Sequence, residues 1–467
     1  MTDLLIRGGT LVNAGGSQHA DVAVVGGRVA DIRADLGGLV TGAREVIDAT
    51  GLLVLPGTID VHTHTRVATE AEPDRFFQDS LAAAFGGTTT LLAFNNPGTG
   101  DGSEAAGRSV LAGVREWRAA TEADSAIDYS LSPVITGLME DPVAELPAVV
   151  DGGMPTSKAF MVYDFGLPAA TLFAAMRGLG TAGGMLEVHC EDPVLLEAGV
   201  AQELAAGRTG PDGHARSRPP FVEAAATHRA LAFAGASAAP VYVVHLSSGA
   251  ALDEVRRAKE AGIRAFAETC PQYLTLTEER YAGRLDDAAS CVISPPLRSA
   301  ADCDALWGGL ADGSLDLVAT DHVPDRLAVE KAGASRGVSF DKISNGAPGI
   351  ETLLSLVYSE GVARGRISLE RMVDLLATTP ARLFGLSAKG AIEIGRDADL
   401  VLFDPNASRT LRASDLHHTS DYTPYEGLEV RGAVRSLFLR GQPVIRNGRF
   451  VGRRGFGQFV ERVPPFR

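Results

Sequence analysis

Short apolar runs alternate with glycine-containing turns through LLIRGGTLVN, ADVAVVGGRVADI and REVIDATGLLVL at the N-terminal end. That texture predicts a succession of short strands without intervening helices. It returns at the other end in GAIEIGRDADLVLFDP and VRSLFLRGQPVIRNGRFVG. Chain termini commonly lie close together, so residues 1–50 and 388–467 are expected to build one small β-sandwich domain. Between them the pattern changes. Apolar runs of strand length (LLVLPGTIDVH, TTTLLAFNN, AIDYSLSPV, SKAFMVY, GMLEVH, PVYVVHLSS, IRAFAET, LDLVATD) are mostly separated by amphipathic stretches such as DRFFQDSLAAAF and ALDEVRRAKEAG. Strand–helix alternation predicts a parallel sheet with crossover helices. Eight such strands are the number that closes a barrel, so residues 51–387 are expected to form a (β/α)8 TIM barrel in an α/β protein. The polar stretch between His189 and a helix near residue 221 breaks the rhythm and reads as an active-site loop.

Composition excludes several classes of function. The 467 residues are 45% apolar and 22% charged, which fits a globular chain with a sizeable core. With 43 Lys and Arg against 58 Asp and Glu, the net charge of −15 argues against a nucleic-acid partner. No apolar run approaches the ~18–20 residues of a membrane span, and MTDLLIRGGTLVN lacks the layout of a secretory leader. Cys190, Cys270, Cys291 and Cys303 form neither a CxxC pair nor a disulfide framework. A cytoplasmic enzyme acting on a small molecule is expected, with no membrane partner.

In a barrel of this kind chemistry gathers at the C-terminal strand ends. His62 and His64 close the first strand in IDVHTH, Lys158 lies in the fourth, His189 ends the fifth, His245 the sixth and Asp321 the eighth. The i, i+2 spacing of His62 and His64 puts both on one side of a strand, which suits two ligands of one metal. His322, next to Asp321, is turned away by strand alternation and is expected to give a supporting hydrogen bond. By the same alternation Cys190 does not pair with His189 as a nucleophile. His417 and His418 lie outside the barrel strands and are expected to be structural.

On PGTIDVHTH, AAFGGTTT, SKAFMVY, EVHCED, YVVHLSS, AETCPQYL, SPPLR, ATDH, FDKISNGAPGIE and KGAIEIGRDADLVLFDP, in this order, the chain resembles the cyclic amidohydrolases of the amidohydrolase superfamily. The likeness is greatest to the hydantoinase/dihydropyrimidinase branch. It implies two divalent ions, Zn2+ foremost, with His62, His64 and Asp321 on the first, His189 and His245 on the second, and Lys158 bridging them as a CO2-derived carbamate. It further implies hydrolysis of a cyclic amide or ureide by hydroxide held between the ions. Asp321 would act as general base and then acid, and Tyr163 would stabilise the oxyanion. Ser294 and Asn345 would hold the ring amide. A homo-oligomer, a tetramer by this resemblance, is expected.

Two positions depart from the typical hydantoinase. Arg66, two residues past His64, and Asn96 in FNNP are similar to the carboxylate grip of dihydroorotases, and a guanidinium suits a carboxylate through its bidentate donor fork. A carboxylate-bearing or ureido ring, as in dihydroorotase or allantoinase-like enzymes, therefore stands as an alternative. So does an Arg66 paired with a neighbour such as Glu70 or Glu72. An inactive scaffold relative is a remote alternative, because every ligand position is filled. A mononuclear deaminase on the same barrel would lack the Lys of the fourth strand.

Overall fold

The computed structural model describes residues 1–95, 103–331 and 337–467. Strands Thr58–Thr63, Thr88–Ala93 and Asp128–Leu131 form one parallel ladder. Thr156–Phe160, Met185–His189, Val241–Val243, Ala265–Thr269 and Leu317–Val318 form a second. Isolated parallel bridges join the two at both seams, Val134 to Lys158 and Thr63 to His322, completing the eight-strand barrel in chain order. Helices cover the outside, so strand residues are buried on both faces, as throughout Thr58–Thr63. Helix Gly249–Glu260 shows why the covering elements form. Ser248 caps the Ala251 N–H at 3.3 Å, and Leu252, Val255 and Ala258 recur on one face and are buried.

The chain ends form a single nine-stranded sheet, which curls around its own core of Ile6, Val22, Val24, Leu400, Leu402 and Phe438. The expected sandwich is thus one hydrogen-bonded sheet closing on itself, with the Ala398 N–H donating to the Gly27 carbonyl at 2.9 Å. Its extent differs from the sequence-based division at two places. Leu53–Pro56, expected in the barrel, pairs with Thr2–Asn13 and Leu400–Thr410 in this sheet. One continuous apolar run thereby serves two sheets, with Gly57 at the break, where a Cβ would meet the Thr89 side chain at 1.9 Å. The last residues leave the sheet for the barrel: Arg462 is buried and donates to Thr156 Oγ1 at 2.8 Å and the Leu131 carbonyl at 2.6 Å.

The expected loop after His189 is largely helical, with helices at Pro193–Ala205 and Asp212–Arg216. Asp192 caps the first, accepting from the Val194 and Leu195 N–H groups at 3.1 Å each, and Pro193 opens it. This helix buries only Glu203, so it carries no apolar stripe for periodicity to detect. No helix among the described residues is long and apolar enough to cross a membrane.

Candidate active site

At the C-terminal mouth of the barrel the side chains picked out along the chain meet. His62 Nε2 lies 3.0 Å and His64 Nε2 3.3 Å from Asp321 Oδ1. Lys158 Nζ is 3.3 Å from His62 Nε2, and His189 Nδ1 is 2.9 Å from His245 Nε2. Ligand atoms of His62, His245 and Asp321 all lie within 4.8 Å of one another. Ring nitrogens, an amine and a carboxylate thus aim at one small volume. Imidazoles with a carboxylate oxygen suit Zn2+ and similar divalent ions, and this donor set fits a metal cofactor.

Two buried carboxylates support the imidazoles from outside. Glu268 takes His62 Nδ1 as a close hydrogen-bond partner and accepts the Tyr242 hydroxyl at 2.7 Å. Glu191 lies 2.9 Å from His189 Nε2 and accepts from Arg218 at 2.7 Å. Each fixes a ring so that its other nitrogen faces the centre, as carboxylate–histidine pairs do around metals. Sequence reasoning missed Glu191, Arg218 and Glu268. The i, i+2 rule that found His62 and His64 also marks Glu191, two residues past His189.

Charges are strongly perturbed in this buried setting. Burial and the Lys158 amine oppose a charge on His62, yet Glu268 and Asp321 raise it to about 9. Burial pushes His64 down to about 4, lowers His189 and Lys158, and takes His245 well below the usual imidazole range. Burial works against the Asp321 charge, but His62 and His64 hold its carboxyl well below the usual range. The neutral His64, His189 and His245 imidazoles and the ionised Asp321 carboxylate are the forms that ligate metal, whereas His62 must release its proton to do so.

The backbone is bent to achieve this. Tyr163 (φ +72°), His245 (φ +39°) and Asp321 (φ +51°) all lie in the left-handed region. Such strain in non-glycine residues collects at functional sites.

A cavity of about 240 Å3 opens onto the cluster, lined by His64, Arg66, Tyr163, Ser294, Asp321 and Asn345 among others. Four of the five expected substrate contacts therefore border it; Asn96 lies outside the described residues. Arg66 is paired, but with Asp325 at 2.7 Å and Glu330 at 3.0 Å rather than with Glu70 or Glu72. His322 points away, accepting the Gly349 N–H at 3.2 Å on Nδ1, with Asp79 3.6 Å from Nε2. Burial pushes the Cys190 thiol up to about 12, which removes it as a nucleophile. His417 stacks on Phe85 with centroids 3.6 Å apart and pairs with Glu351.

The buried histidines make the metal-free chain acid-sensitive. Besides His64, burial lowers His214 to about 3 and His418 to about 4. An unfolded chain protonates these groups near pH 6.5, whereas the folded chain does so only near pH 3–4. Between those limits the unfolded state binds more protons, so stability falls as the pH is lowered. His62, raised instead, gains stability as pH falls from about 9 to 6.5 and offsets only part of the loss from the three lowered histidines. The chelated protein is expected to melt several degrees lower at pH 5 than at pH 7.5. Equal melting temperatures in calorimetry would contradict this placement of the neutral imidazoles.

Comparison with known proteins agrees with the geometry. D-hydantoinase of Streptomyces coelicolor is 37% identical over 473 residues, covering 98% of both chains. D-phenylhydantoinase of Escherichia coli is 37% identical over 465 residues, covering 99% of this chain and 98% of its own. The crystal structure of dihydropyrimidinase from Brevibacillus agri NCHU1002 superposes with a TM-score of 0.93 at 38% identity, over 100% of both chains. The amidohydrolase family model matches residues 53–444, the barrel together with the C-terminal strands of the terminal sheet, and the chain belongs to the amidohydrolase family.

Proposed function

We propose that this chain hydrolyses an amide bond of a cyclic amide or ureide of the hydantoin or dihydropyrimidine type. The observation that carries the proposal is the convergence of His62, His64, Lys158, His189, His245 and Asp321 beneath one cavity. His62, His64 and Asp321 would hold one divalent ion, His189 and His245 a second, and a carboxylated Lys158 would link them. Bound there, two Zn2+ ions would supply an activated water at neutral pH and polarise the ring carbonyl. The chain's own groups do the rest. Asp321, in contact with both His62 and His64, takes the proton of the attacking water and returns it to the leaving ring nitrogen. The Tyr163 phenol, held over the cavity by its left-handed backbone, donates to the oxygen that gains charge. Ser294 and Asn345 line the wall where the ring amide must lie. A homotetramer and a cytoplasmic location belong to the same proposal and rest on the family resemblance.

Hydantoin, dihydrouracil, allantoin and dihydroorotate would be offered to chelated protein and to the same protein reloaded with Zn2+. Ring opening is expected only after reloading, saturating at two ions per chain. Full turnover by the chelated protein, or silence toward every ring when loaded, would refute the proposal.

A further inference from the structure

Arg66 stands in the cavity wall, two residues beyond a proposed metal ligand, and its side chain is only 18% exposed. Both of its terminal nitrogens are engaged, Nη2 by Asp325 Oδ1 at 2.7 Å and Nη1 by Glu330 Oε1 at 3.0 Å. Asp325 is fully buried, and its second oxygen has no hydrogen-bond partner among the described residues, with Lys331 Nζ 3.9 Å away. Glu330 is fixed in turn, accepting the Arg326 N–H at 2.8 Å. The Arg66 charge is thus matched by two carboxylates, which Lys331 and Arg326 also approach at 3.9 Å and 3.6 Å, and the edge that would receive a bidentate anion is taken.

We propose that Arg66 is a specificity-determining residue held in a cancelled state. Asp325 and Glu330 neutralise its charge, so rings bearing a carboxylate are excluded, and removing one of these negative charges turns Arg66 into a carboxylate acceptor. This inverts the role that an arginine at this position has when its head is free. It rests on the cyclic-amidase reading only for the identity of the ring.

The test compares two rings that differ by one carboxylate, dihydrouracil and dihydroorotate, on the Zn2+-loaded full-length chain. Both kcat/KM and Kd by calorimetry are measured. The parent is expected to favour the neutral ring by about tenfold or more, since a guanidinium already paired on both nitrogens cannot repay the desolvation of a ring carboxylate. Glu330→Gln keeps the shape, lies at a half-buried position and is expected to fold. It should raise the dihydroorotate-to-dihydrouracil ratio at least about tenfold, and adding Arg66→Gln should abolish that gain. Asp325→Asn, checked for folding by its melting temperature, should shift the ratio in the same direction. A parent that prefers dihydroorotate, or a folded Glu330→Gln variant with an unchanged ratio, would overturn the inference. If neither ring is opened but the Kd ratio moves as stated, the inference stands and the hydrolase reading fails. If dihydrouracil is opened and the ratio does not move, the hydrolase reading stands and the inference fails.

Discussion

Replacing Lys158 with alanine is expected to lower kcat/KM by about 10³-fold or more, a barrier increase of about 4 kcal/mol, and to leave fewer than two ions per chain. The reason lies in the surroundings of the amine. Lys158 is fully buried, its Nζ 4.5 Å from the centre of the Phe94 ring, 5.1 Å from that of Phe160 and 3.3 Å from His62 Nε2. Burial lowers its pKa, favouring the neutral amine. That is the form whose lone pair attacks CO2, giving a carbamate and releasing one proton. A carbamate offers two anionic oxygens where an ammonium would repel two dications. The same surroundings predict an opposite effect on stability. Without metal the amine is a buried polar group with no ion pair among the described residues, so its removal costs the folded state little. Chelated Lys158→Ala protein should therefore melt no lower than chelated parent, while the loaded parent gains stability from metal and the variant does not. Undiminished turnover in the variant, or two ions still bound, would contradict the bridge.

What the sequence reveals here follows from how each feature is encoded. Barrel strands buried on both faces appear as apolar runs, and alternation along the end of such a run says which reactive side chains point to the mouth. His62, His64, His189, His245 and Asp321 are legible for that reason. Features that depend on contacts between distant segments are not. Nothing local marks Glu268 as the partner of His62, 206 residues away, or Asp325 and Glu330 as partners of Arg66 across more than 250 residues. The Arg66 residue type alone points to a free cation, whereas the fold supplies its counter-charges. The helix Pro193–Ala205 escaped detection although its cap, Asp192 followed by Pro193, is written plainly, because the helix lies on the surface and buries only Glu203. The sheet boundary slipped to Pro56 because an apolar run does not say which of two sheets its strand joins.

Asp321→Asn is expected to lower kcat by about 10³-fold while leaving KM within severalfold and the melting temperature of the chelated chain little changed. The substitution separates the backbone role of this residue from its chemistry. With φ at +51°, position 321 sits where side chains are strained, and Asn and Asp tolerate that region best. Asn therefore keeps the turn that carries the side chain toward His62 and His64, and it fits the same space. What it loses is the negative charge and, with it, the proton transfer proposed for this residue. Asp321→Glu tests the converse. It keeps the charge but adds a methylene where the carboxylate already lies 3.0 Å and 3.3 Å from two ring nitrogens, and it tolerates the positive φ poorly. Both variants should be nearly inactive for different reasons, with Asn folded as the parent and Glu destabilised. An Asn variant that retains more than about a tenth of the parent kcat would remove Asp321 as the proton carrier, because no uncharged amide can do that work at neutral pH.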